Sequence, residues 1–289
     1  MSDALRDAVL RYTQKYAATD GVAATPVPGL FLVCGTSPGE LEHAIASPLV
    51  CLVLQGRKRV TIGDRDFTFA AGDSMIVTAN VPTVSRISEA AITAPYLAIA
   101  LDLDPAVITD LDVAMSTESS SQELVGMNID EEFGDALFRL IRLLERPRSL
   151  AVLHKQLIRE IHYWLLLGGQ GRAIRRLGLP DSQVRRIARA VAILRREYTR
   201  PLPVERLAAA AGMSRSAFHK HFRTVTSLSP LQFQKQLRLI EARRLMLSKG
   251  KTSSRVAFEV GYASVSQFTR EYARMYGRPP VRDRNTSVT

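Results

Sequence analysis

Residues 204–247, VERLAAAAGMSRSAFHKHFRTVTSLSPLQFQKQLRLIEARRLML, and residues 253–280, SSRVAFEVGYASVSQFTREYARMYGRPP, carry one pattern twice. Ser214, Phe218, Phe222 and Pro230 return as Ser264, Phe268, Tyr272 and Pro280, each 50 positions later. A repeat at fixed spacing indicates one supersecondary unit used more than once. Before each serine stands an alanine four positions ahead of a glycine, Ala208 with Gly212 and Ala257 with Gly261. An alanine facing a partner helix and a glycine in the turn let two helices cross closely at a steep angle, and a serine then caps the second helix. The spacing predicts two helix-turn-helix units, 203–224 and 252–275, the second turn one residue longer than the first. Between them, Leu231 to Leu247 reads as a helix with Phe233, Leu237, Ile240, Leu245 and Met246 on its apolar side and Lys235, Arg238, Arg243 and Arg244 exposed or partly exposed. At 1.5 Å per residue it is about 25 Å long, enough to hold two modules roughly one DNA turn apart.

Phe218 with Phe222, and Phe268 with Tyr272, have the i, i+4 spacing of a buried stripe, so the opposite faces of the two second helices point outwards. On those faces Ser216, His219 and Lys220, then Ser266, Gln267 and Arg270, are the candidates for base-edge contact. Arginine can take guanine bidentately, glutamine can read adenine, and serine can address either polar base edge. Arg215, Arg223 and Lys251 are candidates for phosphate contact, which positions a protein without specifying sequence. The plainer alternative is that these are ordinary solvated helix faces. His219 and His221 are two positions apart, which sends them to different faces and argues against a metal site.

Charge separates the chain into two parts. Residues 171–289 hold 25 Lys+Arg against 7 Asp+Glu, about +18, whereas residues 1–170 hold 14 against 21, about −7, together the net +11 of the whole 289-residue sequence. The basic part is a candidate polyanion binder with salt-dependent affinity, although such faces can also be merely solvated or attract acidic membranes. There is no apolar run of about 18 residues, and the first residues are charged where a signal peptide needs an apolar stretch. The expected location is therefore the cytosol. Cys34 and Cys51 are too few for a disulfide framework and lack CxxC spacing, so they read as small buried residues.

From about residue 30 to 103, short aliphatic runs alternate with turn residues: GLFLVCG, PLVCLVLQG, KRVTIGD, RDFTFAAGD, SMIVTANV and PYLAIALDL. Their spacing suits an antiparallel sandwich or barrel. Beyond Asp104-Pro105 the period becomes helical. Phe133, Leu137, Leu140, Ile141 and Leu144 mark one helix, and Leu153, Leu157, Ile161 and Trp164 the inward side of another, together about 131–167. Those helices could pack against the strands or against a second copy. The glycines, Pro180 and arginines that follow predict a linker at 171–182. The expected organisation is thus an effector-binding or dimerising domain at 1–170, that linker, and an all-α DNA-binding domain at 183–284.

Both parts resemble the AraC family of transcriptional regulators. The C-terminal resemblance rests on the repeat, the linking helix, the unequal turns, Val260-Gly261-Tyr262 and Gly277-Arg278-Pro279-Pro280. It departs at Asp283, where the family usually has an aromatic residue, and at Ser227, where it usually has glycine; the first departure puts the packing of the last turn in question. The N-terminal resemblance rests on Leu54 to Val60, Asn80-Val-Pro82, Arg86-Ile-Ser88 and Ala94-Pro-Tyr96. It implies a cupin-like β-barrel with accessory helices, joined to a double helix-turn-helix domain of homeodomain-like repeats. It also implies a sequence-specific regulator, a homodimer in the family manner, acting on double-stranded promoter DNA, with RNA polymerase a possible partner and no membrane role.

Such a barrel can hold a small-molecule effector in its mouth, although no effector-binding residue is singled out. Arg57, Lys58 and Arg59 either grip an anionic effector or form a solvated loop after Gly56. A metal-dependent cupin enzyme would need several clustered histidines, and only His43 falls among these strands. No cofactor or metal is expected. The rival readings are a non-specific architectural DNA binder and a cupin enzyme with a DNA-binding appendage.

Overall fold

The computed structural model describes residues 3–117 and 129–286. They form two compact units, an N-terminal one ending at Arg185 and a C-terminal one beginning at Arg186, with the short stretch His43–Ile45 grouped with the latter.

The N-terminal unit is built on two antiparallel sheets. The strands are β1 (Val22–Ala24), β2 (Leu30–Gly35), β3 (Glu42–Ala46), β4 (Leu49–Gln55), β5 (Arg57–Ile62), β6 (Arg65–Ala70), β7 (Ser74–Val77), β8 (Val81–Glu89) and β9 (Tyr96–Asp102). One sheet has the order β1-β2-β9-β4-β7 and the other β3-β8-β5-β6. Side chains alternate across a strand, so each central strand presents two faces. In β4 and β9, Val50, Leu52, Leu54, Leu97, Ile99 and Leu101 join the core shared with the helices. Val53, Tyr96 and Ala98 turn the other way, with Cys51, to meet Phe69 and Ile87 of the second sheet. Both faces being covered, these two strands read as unbroken apolar runs. Those of the second sheet alternate, because one face stays open to water.

The helices of this unit are α1 (Asp3–Tyr16), α2 (Pro105–Thr117), α3 (Ile129–Leu143), α4 (Pro147–Leu167) and α5 (Gly171–Gly178). Leu5, Ala8, Val9 and Tyr12 give α1 a buried stripe. Phe133, Leu137, Leu140 and Ile141 of α3 and Leu144 just beyond its end are all buried as expected, whereas on α4 Leu153 is 45% exposed and Leu150 takes the inward place one turn earlier. His162 is fully enclosed: its Nε2 accepts from the Asp104 amide at 2.9 Å and its Nδ1 donates to the Ile158 carbonyl at 2.8 Å. Burial lowers its pKa below that of an ordinary histidine, consistent with a neutral ring that pins α4 to the start of α2.

The expected linker at 171–182 requires correction. Most of it is α5, whose Ile174 and Leu177 lie in the core of the N-terminal unit and whose Arg175 pairs with Asp112 at 2.7 Å. The glycines there signal close packing instead of slack: a Cβ on Gly171 would fall 2.0 Å from the Leu166 carbonyl oxygen. Arg57 to Arg59 likewise belong to strand β5, not to a loop, and Arg57 pairs with Glu89 of β8 at 3.0 Å.

The C-terminal unit is wholly helical: α6 (Gln183–Glu197), α7 (Val204–Ala210), α8 (Arg215–Thr226), α9 (Pro230–Lys249), α10 (Ser253–Glu259), α11 (Val265–Tyr276) and α12 (Pro280–Thr286). It contains two small cores. Ile187, Ala190, Val191 and Leu194 of α6 pack with Leu207, Ala208, Phe218, Phe222 and Phe233. The second core joins Leu239, Ala242, Leu245 and Met246 of α9 to Val256, Ala257, Phe268 and Tyr272. Helix α9 therefore contributes to both, its first half to one and its second half to the other.

Helix α8 ends on Ser227, whose φ of 63° makes it the only non-glycine residue with positive φ among those described. A side chain in this left-handed conformation is strained, and glycine is the usual solution at a helix C-terminus. Ser227→Gly should stabilise the unit by about 0.5–1 kcal/mol after the extra unfolded-state entropy of glycine is counted. Ser227→Val should do the reverse, and urea denaturation checks both.

Candidate nucleic-acid interface

In the first helix-turn-helix unit, Gly212 takes the turn with φ +62°, and Arg186 donates to the carbonyls of Ala211, at 2.8 Å, and of Gly212. Ser214 caps α8 by accepting from the Ala217 amide at 3.4 Å. Phe218 and Phe222 are buried with ring centroids 5.4 Å apart, and Phe222 meets Phe233 of α9 edge-on at 5.5 Å. These contacts fix the rotation of α8. Ser216, His219 and Lys220 are consequently exposed, as are Arg215 and Arg223. Arg215 lies 3.2 Å from Glu205, but both side chains are largely solvated and so weakly coupled.

The second unit repeats the construction with tighter constraints. Ser264 caps α11 by accepting from the Gln267 amide at 3.5 Å, while Phe268 and Tyr272 are buried. Gly261 has φ +91°, and a Cβ there would lie 2.0 Å from the Thr199 carbonyl oxygen, so the turn admits only glycine. Ser266 and Arg270 are exposed, whereas Gln267 is partly buried and its Nε2 donates to Glu271 Oε1 at 3.2 Å. Lys251 forms an ion pair with Glu259 at 2.6 Å, a partner it would have to share or release on meeting a phosphate. His219 is exposed and His221 partly buried on separate parts of α8. Among the described residues no group of three or more His, Cys, Asp or Glu is placed to hold a metal ion.

Lys235, Arg238 and Arg243 of α9 are partly exposed and Arg244 exposed, as expected, but polar side chains of this helix also tie the two helix-turn-helix units together. Arg238 donates to the Tyr198 carbonyl at 2.7 Å and to the Gly261 carbonyl at 2.9 Å, and Gln234 donates to the carbonyls of Tyr198 at 3.0 Å and Arg200 at 2.6 Å. The next residue, Lys235, donates to Glu271 Oε1 at 2.7 Å, and Tyr262 donates its hydroxyl to Oε2 at 2.9 Å. Burial works to raise the Glu271 pKa, but hydrogen bonds from Lys235, Tyr262 and Gln267 outweigh it and leave the carboxyl below its ordinary range.

The packing of the last turn differs from what an aromatic residue at position 283 would supply. Asp283 is fully buried, paired with Arg243 at 2.9 Å and Arg278 at 2.7 Å, and receives the Tyr272 hydroxyl. Burial favours its neutral form, yet the Tyr272 and Arg243 hydrogen bonds prevail and lower its pKa. A carboxyl with a depressed folded-state pKa stabilises above its unfolded value, and that stabilisation is lost as pH falls through the folded value. Asp283→Asn should therefore lower stability at pH 7 by about 3 kcal/mol or more, by leaving two arginines without their carboxylate, and should make the loss of stability below about pH 4 shallower than in wild type. Thermal denaturation across pH 2–7 reads both effects.

Comparison with known proteins agrees with this architecture. The family described as AraC-type transcriptional regulator N-terminus matches residues 26–173, half of the chain, and a helix-turn-helix domain family matches residues 207–286. The chain belongs to the AraC-type transcriptional regulators. Among curated relatives, the thermoregulatory protein LcrF of Yersinia pestis is 27% identical over 175 residues, 59% of this chain and 62% of that protein. The regulator ExsA of Pseudomonas aeruginosa is 26% identical over 140 residues, 48% of this chain and 49% of its own. Among solved structures, an apo variant of ToxT from Vibrio cholerae covers 91% of this chain and 99% of its own with a TM-score of 0.55 at 9% identity. A ToxT structure with bound unsaturated fatty acid covers 89% and 93% with a TM-score of 0.53 at 10% identity. These structures share the fold: an antiparallel β-sheet domain followed by a helical helix-turn-helix domain. Among the described residues no helix is long and apolar enough to cross a membrane.

Proposed function

We propose that this chain is a cytoplasmic one-component regulator that reads promoter DNA with α8 and α11 in successive major-groove segments. The observation that carries the reading is the pair of serine-capped helices whose aromatic stripes are buried and whose opposite faces offer Ser216, His219 and Lys220, and Ser266, Gln267 and Arg270. Helix α9, 20 residues and about 30 Å long, matches the separation of adjacent major-groove segments on one DNA face. Arg215, Arg223 and Lys251 supply phosphate contacts, and the excess of 25 basic over 7 acidic residues in 171–289 supplies the long-range attraction.

The N-terminal unit is the regulatory part. It binds a small effector, pairs with a second copy, and shifts the population of C-terminal arrangements that suit two operator half-sites. That a ToxT structure of the same fold is bound by unsaturated fatty acid supports a small-molecule effector for this chain. RNA polymerase is the natural further partner of the DNA-bound form. The protein acts by binding and not by catalysis.

The test compares binding to the DNA flanking its own gene with binding to random DNA at two salt concentrations, for wild type and for the double variant Lys220→Ala, Arg270→Ala. The expected specificity ratio is about 10³ or more, and it should collapse in the variant. Equal, purely salt-driven binding to both DNAs, with and without candidate effectors, would identify an architectural binder instead.

A further inference from the structure

A glutamine can read adenine only when its amide is turned the right way. The side chain must present its carbonyl oxygen and one N–H side by side, the oxygen accepting from adenine N6 and the N–H donating to N7. A freely rotating amide also samples the flipped state, which suits other bases. We infer that Glu271 is a positioning residue that holds Gln267 in the adenine-reading orientation, and that Lys235 of the linking helix holds Glu271. This inference rests on the proposal that α11 reads bases.

The geometry is specific. Gln267 and Glu271 are four positions apart on α11, hence on one face, and the Gln267 Nε2 lies 3.2 Å from Glu271 Oε1. A carboxylate only accepts hydrogen bonds, so the amide nitrogen must be the atom that faces it. One N–H is thereby committed to Glu271, and the oxygen with the remaining N–H forms the free edge of the partly exposed side chain. Glu271 itself cannot swing away. Its side chain is 10% exposed, Lys235 Nζ sits 2.7 Å from Oε1, and the Tyr262 hydroxyl sits 2.9 Å from Oε2. The carboxylate stays ionised through these donors, with its pKa below the ordinary range despite burial. An acidic residue on a helix that approaches phosphates is unfavourable by charge alone. Its enclosure among Lys235, Tyr262 and Gln267 removes that objection, because Glu271 faces the protein and not the DNA.

The experiment selects preferred operators from a randomised DNA pool for the full-length wild type, Gln267→Ala and Glu271→Gln. In Glu271→Gln the partner can offer either a donor or an acceptor, so the constraint on the Gln267 amide is lifted while side-chain volume is kept. Gln267→Ala should erase an adenine preference of roughly tenfold at one base pair, which locates the contact. Glu271→Gln should weaken that same preference several-fold and leave the preferences at other positions intact. A uniform loss of affinity across all positions in Glu271→Gln would show a merely structural role and overturn the inference. If Gln267→Ala changes preference nowhere, the assignment of Gln267 to base contact fails first. Should Glu271→Gln not fold, Lys235→Met provides the second variant, with the same selective loss expected. Independently, the spectrum of ¹⁵N-labelled glutamine side chains of the wild type should contain one amide group protected from solvent exchange that vanishes in Gln267→Ala. Absence of such a group would also overturn the inference.

Discussion

Three backbone carbonyls of the C-terminal unit, those of Tyr198, Arg200 and Gly261, take side-chain donors, and each such hydrogen bond contributes about 0.5–1.5 kcal/mol, more where the donor is charged. Helix α9 provides them from two neighbouring side chains, Gln234 and Arg238. Arg238 is the more consequential, because its planar guanidinium reaches Tyr198 after the first helix of the unit and Gly261 in the turn of the second helix-turn-helix simultaneously. The turn itself allows no freedom, since Gly261 sits against the Thr199 carbonyl with no room for a Cβ. The orientation of α11 relative to α9 is thus set by directional hydrogen bonds as well as by the apolar contacts of Leu239, Leu245 and Met246. Apolar packing alone would tolerate rotation and slip more readily, and the proposed reading of two grooves requires α8 and α11 to keep a fixed register.

The division of labour between the two turns follows from the same logic. Arg186 closes the first turn from α6, while Arg238 closes the second from α9. Each unit is therefore anchored to the helix that precedes it in the chain, and α9 is common to both. Asp283 completes the scheme from the far end: it ties α12 to Arg243 of α9 and to Tyr272 of α11. Several positive charges of this very basic part are consumed internally in this way, whereas Lys220 and Arg223 of α8 and Arg270 of α11 remain exposed on the outer faces.

Much of this was legible in the sequence because it rests on local rules. The offset of 50 residues, the serine caps, and the i, i+4 aromatic pairs are short-range signals, and the faces of α8 and α11 follow from them. The apolar strands of the N-terminal unit and the stripe on α3 were equally plain. The features that escaped depend on partners distant in sequence. Arg238 reads as a solvated arginine until its acceptors 23 and 40 positions away are known. Glu271 carries a weak signal, an acid on an otherwise basic helix, but its role needs Lys235 and Tyr262. The glycines near 171 imitate a linker, since sequence cannot distinguish a glycine chosen for freedom from one chosen for close approach. Leu153 failed for a simpler reason: the apolar stripe of α4 has a neighbour, Leu150, that fills the inward place instead.

The account stands on α9 as a rigid ruler between two base-reading helices. The most direct test inserts five base pairs between the two segments of the preferred operator that the units protect from hydroxyl-radical cleavage, and measures the affinity of the full chain. Half a helical turn places the second segment on the opposite side of the duplex. A ruler of fixed length and twist cannot follow, so affinity should fall to that of an operator retaining only one segment. Unchanged affinity, with both segments still protected, would show that the two units move independently and would contradict the central claim.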